Sequence, residues 1–194
     1  MKKTISIIFL LILVLIVLSG CAKVDYYTKI NEDGSGEIKY VYSINKTVIE
    51  NDEENMNKKI NTMKEKAKKS GFKIEEYEDE NTAGFLAIKK AEDITKDSLL
   101  VSLFGEKNIK NGEESKIQIK KDAFGKVFSQ KVVLDLSEYK DLEELNASVK
   151  YTVVLPVEVT KTNAKNISED RKTLTWDLKF EDNQEVFFTA RTRK

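Results

Sequence analysis

The chain has 194 residues, and its 33 basic and 33 acidic side chains give a formal net charge of zero. Because this balance creates no overall positive field, the composition argues against nucleic acid as a partner. Histidine is absent and cysteine occurs once, which excludes histidine-based triads, Cys-His dyads, the common zinc sites and an internal disulfide. The sequence therefore predicts a protein that is not an enzyme and that holds no metal or other cofactor.

The N-terminal segment has the three parts of a secretory signal. Residues 2–3 are lysines, residues 5–17 form an apolar run with one serine, and the small residues Ser19 and Gly20 precede Cys21. A membrane-spanning helix needs about 20 apolar residues, and this run is shorter. Two other interpretations stay open, namely an uncleaved membrane anchor and an ordinary secretory signal with a chance cysteine.

The four residues Leu18, Ser19, Gly20 and Cys21 resemble the lipobox of bacterial lipoproteins. The resemblance implies recognition of Leu18, Ser19 and Gly20 by the signal peptidase, cleavage after Gly20 and a diacylglyceryl group on the Cys21 thiol. We therefore expect a signal peptide over residues 1–20 and one domain over residues 21–194. We expect this domain on the extracytoplasmic face of a bacterial cell membrane, held there by its lipid anchor.

The mature chain begins with a predicted β-hairpin. Residues 24–30 and 38–44 alternate in polarity and flank Asp33-Gly34. This dipeptide predicts a tight turn, because glycine adopts positive φ without a Cβ clash. The hairpin begins three residues after Cys21. Three residues reach about 10 Å when fully extended. The folded domain is therefore expected to lie close to the membrane.

A long helix is predicted from Thr47 to Ser70. Thr47 and Glu50 fit a capping box, and Gly71 suits the position after the helix. One face carries a narrow apolar stripe with helical spacing, which consists of Ile49, Met56, Ile60, Met63 and Ala67. We expect this stripe to lie on a sheet, with a partner-binding or coiled-coil role as the alternative.

The remaining pattern is mostly β. A second hairpin is predicted over residues 72–78 and 83–90, and a short helix over Asp97–Phe104 is either a small core helix or a rim that dips toward the membrane. Further strands are predicted at 116–121, 127–136, 147–160, 174–178 and 186–192, with Pro156 bending the third of these segments or marking an edge. The expected fold is α+β, with a curved, mostly antiparallel sheet of about nine strands and the long helix packed across it.

Three stretches resemble the LppM-type domain of bacterial lipoproteins. They are Lys29-Ile30-Asn31-Glu32-Asp33-Gly34-Ser35-Gly36, the long helix that follows, and Thr162-Asn163-Ala164 leading to Leu174-Thr175-Trp176-Asp177-Leu178. The resemblance covers most of residues 21–190 and implies an envelope lipoprotein with an α/β domain and a lipid-binding role. It carries no catalytic residues. Related chains often continue into a C-terminal transmembrane helix, whereas this sequence stops at residue 194, so the acyl anchor is expected to act alone.

Three classes of function follow from these features. The first is a module that binds lipid or another amphiphile in a cavity between helix and sheet. The candidate lining residues are aromatic, and each is otherwise an ordinary core residue: Tyr40, Tyr42, Phe85, Phe128, Trp176 and Phe187. The second is a structural or adaptor lipoprotein that acts through protein contacts with unidentified partners. The third, an enzyme, has the least support, because the sequence lacks the usual catalytic side chains.

The lipobox generates the first testable prediction. Replacing Cys21 with serine removes the thiol that accepts the lipid, so we expect an unprocessed precursor that lacks the acyl group. Mass spectrometry of membrane-extracted protein measures both changes. Normal cleavage and acylation of Cys21→Ser would show that the lipobox interpretation is wrong.

Overall fold

The structure is a computed structural model that describes residues 22–97, 108–110, 115–140, 143 and 147–192. The expected signal peptide, its lipobox with Cys21, and the predicted short helix beyond Asp97 lie outside the described residues.

Within these ranges the chain forms eleven strands and two helices. The strands are β1 (Ala22–Ile30), β2 (Gly36–Asn45), β3 (Lys73–Glu78), β4 (Thr82–Ala91), β5 (Gln118–Asp122), β6 (Gly125–Leu134), β7 (Ser148–Val154), β8 (Val159–Thr162), β9 (Asn166–Ile167), β10 (Thr173–Leu178) and β11 (Gln184–Arg191). The helices are α1 (Lys46–Asn51) and α2 (Glu53–Lys69), and a 3-10 turn covers Ser137–Tyr139.

The strands form two sheets, so the expected single sheet of about nine strands is wrong. The large sheet has seven strands in the order β3-β4-β2-β1-β7-β10-β9, and the small sheet has four in the order β5-β6-β11-β8. The chain changes sheet near Pro156, since the segment expected as one strand over 147–160 is divided into β7 and β8. Proline lacks the N–H that a continuing sheet ladder requires, which fits a break at this point.

Strand β1 lies in the middle of the large sheet. It pairs with β2 in the predicted antiparallel hairpin and with β7 in parallel, so that Tyr26 lies between Tyr40 and Tyr151. The other pairs of described strands are antiparallel. The mostly antiparallel character of the prediction is therefore confirmed.

The predicted long helix is interrupted at Asp52. Its backbone there has φ −148° and ψ 59°, which ends α1 and begins α2. The Asn45 side chain, rather than Thr47, caps α1 by accepting the Thr47 backbone N–H at 2.9 Å. The prediction of one helix with a capping box at Thr47 is thus wrong at its start. At its end, Gly71 has φ +82°, which is the expected left-handed conformation after a helix.

Two covers bury the inner face of the large sheet. Helix α2 lies over β3 and β4 with Ile60 and Ala67 buried, and an ion pair of 2.7 Å between Lys64 and Glu76 fixes its outer flank. The small sheet covers the other side, around β7 and β10. There the Tyr151 hydroxyl donates to Gln130 Oε1 at 2.9 Å, which links the two sheets across the core.

The only tryptophan lies under the small sheet. Trp176 is 5% exposed and stacks on Tyr151 with ring centroids 5.7 Å apart. Its indole N–H donates to Asn163 Oδ1 at 2.9 Å, and the same oxygen accepts the Phe187 backbone N–H of the small sheet at 3.0 Å. The buried ring of Trp176 therefore faces the small sheet and not the apolar stripe of α2.

The two ends of β1 give the domain its polarity. We call the end at Ala22 the proximal end, because Ala22 follows Cys21 directly, and the end at Ile30 the distal end. These residues are eight steps apart along one strand, which corresponds to roughly 26 Å. Helix α2 runs from the proximal end to the distal end, since β2 leads into the helices at Asn45 and β3 pairs with β4 near Lys73 and Ile88.

The buried link between the sheets predicts a pH dependence. Burial raises the pKa of Tyr151 to about 12, while an unfolded chain releases this proton near its ordinary value of 10.0. Between these values the unfolded state binds fewer protons than the folded state, so the free energy of unfolding falls by about 1.4 kcal/mol per pH unit from this group. Below about pH 10 its contribution is complete.

Tyr151→Phe should therefore make the loss of stability between pH 10 and 12 less steep, as measured by urea unfolding. At pH 7 it should cost about 1–3 kcal/mol, because Gln130 Oε1 loses its donor in the core. Tyr27→Phe removes a hydroxyl from the outer face and should change the stability at pH 7 by less than about 0.5 kcal/mol. Equal pH slopes for wild type and Tyr151→Phe would contradict the assignment.

Candidate functional site

A crevice lies where α2 meets the inner face of β2. It has a volume of about 450 Å³, which is within the usual range for small-ligand sites. Its lining combines one strand residue with one flank of the helix, namely Tyr42, Asp52, Asn55, Lys58, Lys59, Thr62 and Met63. This is the candidate functional site.

The crevice lies along the flank of α2 that faces β2. Lys64, on one flank of α2, pairs with Glu76 of the edge strand β3. The crevice residues Asn55, Lys59 and Thr62 lie on the opposite flank, which the helical spacing turns toward β2. The crevice therefore opens on the side of α2 that is away from the edge strand β3.

The floor of the crevice is apolar. The Tyr42 ring lies 5.8 Å from Phe85 between centroids, and Phe85 in turn meets the edge of Tyr40 at 5.6 Å. The Tyr42 hydroxyl is neutral at physiological pH, and burial raises its pKa further above the ordinary value of 10.0. Met63 adds a flexible, polarisable thioether that adapts to the shape of an apolar ligand.

The rim of the crevice is polar and carries cations. Lys58 and Lys59 are exposed on α2, while Asn55 donates to both carboxylate oxygens of Asp52 at 2.9 and 3.1 Å. An apolar floor below lysine ammonium groups suits an amphiphile whose apolar part lies on Tyr42 and whose anionic head faces Lys58 or Lys59. The arrangement supports binding and provides no nucleophile paired with a base.

The crevice lies near the proximal end. Tyr42 is the cross-strand partner of Val24, which is three residues after Cys21. The predicted rim helix begins elsewhere: Asp97 forms an ion pair with Lys89, in the distal half of the sheet. Residues 98–104, the rest of that predicted segment, lie outside the described ranges. The α1–α2 region follows β2 at the proximal end.

The structure places the six predicted lining residues in three locations. Tyr40, Tyr42 and Phe85 contact one another beneath α2. Trp176 and the fully buried Phe128 belong to the core between the sheets, whereas Phe187 is half-buried on the outer face of the small sheet. Of the six, Tyr42 lines the crevice directly.

Sequence reasoning assigned Met63 to the core stripe and did not identify the lysines of the rim. The sequence contains one signal for these lysines. Lys59 and Met63 are four residues apart, so they are adjacent on the surface of one helix. The direction in which this flank points could not be read from the sequence.

The space between the two sheets is small. A cavity lined by Thr28, Gln130 and Tyr151, among other residues, has about 10 Å³, which is about the volume that one water requires. Side chains fill this part of the core, so it does not compete with the crevice as a site for a larger ligand.

Two features are absent from the described residues. Within the described ranges no group of three metal-ligating side chains comes together. In the same part of the chain, no helix has the length and apolar character to cross a membrane.

Comparison with known proteins identifies the fold. The family model of the LppM domain matches residues 23–192. The folded domain of LppM from Mycobacterium tuberculosis, solved by NMR, superposes with a TM-score of 0.55 at 13% sequence identity and covers 90% of this chain and 92% of that one. No curated protein matches. The resemblance inferred from the hairpin, helix and late-strand motifs is confirmed, and the chain belongs to the LppM domain family.

Proposed function

We propose that this protein is a non-catalytic cell-envelope lipoprotein that binds an anionic lipid or similar amphiphile in the crevice at Tyr42. In this proposal, acylated Cys21 anchors the domain to the extracytoplasmic face of a bacterial cell membrane. The lipobox and membership of the LppM family support the anchor. The observation that carries the binding proposal is the crevice itself, with its apolar floor, its lysine rim and its place beside the first residues of β1.

The position of the crevice reduces the cost of transfer. Exposing apolar surface to water costs about 25 cal/mol per Å², so a lipid tail that crosses a wide aqueous gap pays a large penalty. Val24 lies three residues after the anchor and opposite Tyr42, and three residues span about 10 Å at most. A lipid that leaves the bilayer would therefore reach the crevice over a short distance.

An adaptor role through protein contacts is the second candidate. One observation favours it: Phe124, in the turn between β5 and β6, is 70% exposed and lies 6.0 Å from the Arg191 guanidinium. Exposed aromatic and arginine side chains are typical of protein interfaces. This turn is at the distal end, on the side away from the anchor.

The binding proposal is tested by placing a charge in the apolar floor. Met63→Lys should reduce the lipid that is co-purified with the membrane-extracted protein by at least about tenfold, because an ammonium group in the apolar floor takes the place of apolar surface that would contact the lipid. Native mass spectrometry measures the bound lipid. Asn61→Lys, on the solvent-facing side of α2, is the matched control and should retain it.

A second variant leaves the core intact. Lys58→Glu with Lys59→Glu reverses the charge of the rim and should lower binding of anionic lipid while thermal unfolding stays unchanged. Lipid retained by both Met63→Lys and the rim variant would exclude the crevice as the lipid site.

A further inference from the structure

The outer face of the small sheet carries a second groove. It has a volume of about 410 Å³ and lies on the side of the domain that is turned away from the core. Its outward-facing side chains come from all four strands of the small sheet and are Gln118, Lys120, Ser129, Lys131, Lys161, Glu185, Phe187 and Thr189. We call this surface the outer groove.

The strand register places two rows of side chains across the outer groove. Gln118, Ser129, Thr189 and Lys161 are successive cross-strand neighbours, which gives a line of amide and hydroxyl groups that ends in an ammonium. In the next row Lys131 lies opposite Phe187. The Phe187 ring is half-buried on a face where polar residues are expected, and the Lys161 ammonium lies 5.7 Å from its centroid.

The outer groove has an excess of positive charge although the chain as a whole is neutral. Lys131 pairs with Glu185 at 3.4 Å. Among the described residues, no carboxylate lies within 4.0 Å of the ammonium groups of Lys120 or Lys161. These two lysines belong to the edge strands β5 and β8, three strand spacings apart, and Lys120 is offset from the row of Lys161 by two residues along the strand. They therefore lie at opposite sides of the groove, with their Cα atoms roughly 16 Å apart.

The side chains of the outer groove favour one chemical class of ligand. An aromatic ring surrounded by amide and hydroxyl groups offers an apolar platform and hydrogen bonds to a ligand that is itself partly apolar and rich in hydroxyls. Lysine ammonium groups recognise phosphate or carboxylate as point charges. A lipid tail has no continuous apolar floor here, and a peptide that adds a strand would use a sheet edge rather than a face.

We propose that the outer groove binds an acidic glycan chain, with a sugar ring on Phe187 and its phosphate or carboxylate groups at Lys120 and Lys161. The groove lies on the side of the domain, between the proximal and distal ends, and it shares no residue with the crevice. It therefore stays accessible in a domain that is anchored at its proximal end. Its occupation does not depend on lipid binding.

The test uses the full acylated protein in phosphatidylcholine nanodiscs. Calorimetric titration compares a galacturonate hexamer, a glycerol-phosphate hexamer carrying sugar substituents, and neutral maltohexaose. We expect at least one acidic oligomer to bind, with an affinity that falls as salt is raised, and maltohexaose to bind at least tenfold more weakly. The tighter of the two acidic oligomers identifies carboxylate or phosphate as the preferred group.

Two variants locate the binding. Lys120→Gln with Lys161→Gln should weaken the acidic oligomer by at least tenfold, whereas Lys66→Gln with Lys69→Gln on the solvent face of α2 should change it less than twofold. Phe187→Ala should weaken it while leaving binding of inorganic polyphosphate unchanged, which separates the sugar contact from charge. Circular dichroism verifies that each variant is folded.

Three results would overturn the proposal. The first is that neither acidic oligomer binds, and the second is that the two double-lysine variants lose affinity for the acidic oligomer equally. The third is that polyphosphate binds as tightly as the acidic oligomers and that Phe187→Ala changes the affinity for neither ligand. Because lipid retention is measured separately, failure here leaves the crevice proposal standing.

Discussion

The width of the large sheet is the constraint on which the rest of the structure depends. Seven strands at about 4.8 Å spacing give a sheet roughly 29 Å wide, while a helix with its side chains is about 10–12 Å across. One helix therefore cannot bury the whole apolar inner face. The chain meets this need with two covers, α2 over β3 and β4 and the small sheet over β7 and β10.

The candidate site lies along one flank of the α2 cover. The crevice exposes part of Tyr42 while its neighbours Tyr40 and Phe85 stay buried. The same strand pair, β1 with β2, carries the chain from the residue after Cys21 to the crevice. The register of one hairpin therefore links the proposed anchor with the candidate site.

Local signals in the sequence predicted much of this fold. The Asp33-Gly34 turn and the alternation around it specify the first hairpin, and Leu174, Trp176 and Leu178 alternate in a strand whose inner side is buried. These features depend on neighbours close in sequence, where periodicity and turn chemistry act directly. The burial of a residue such as Trp176 is predicted because the alternation places it on the inner side of its strand.

The features that could not be predicted depend on contacts distant in sequence. Alternation shows which side of a strand is inward but not which sheet the strand joins, so the division between β7 and β8 was missed. The parallel pairing of Val24 with Val149 has no local signature. Tyr40 and Tyr42 belong to the same alternating sequence pattern and lie on the same face of β2. Tyr40 is buried in the core and Tyr42 lines the crevice, and this difference depends on where the helix lies over the sheet.

The most direct test of this account is photo-crosslinking on the acylated protein in vesicles that contain an anionic phospholipid with a photoreactive group in its tail. Peptide mapping by mass spectrometry then locates the crosslinks. The account predicts that they concentrate on Tyr42 and on the α2 flank around Asn55, Lys59 and Met63. Crosslinks confined to the distal turn at Phe124, or spread evenly over the surface, would contradict it.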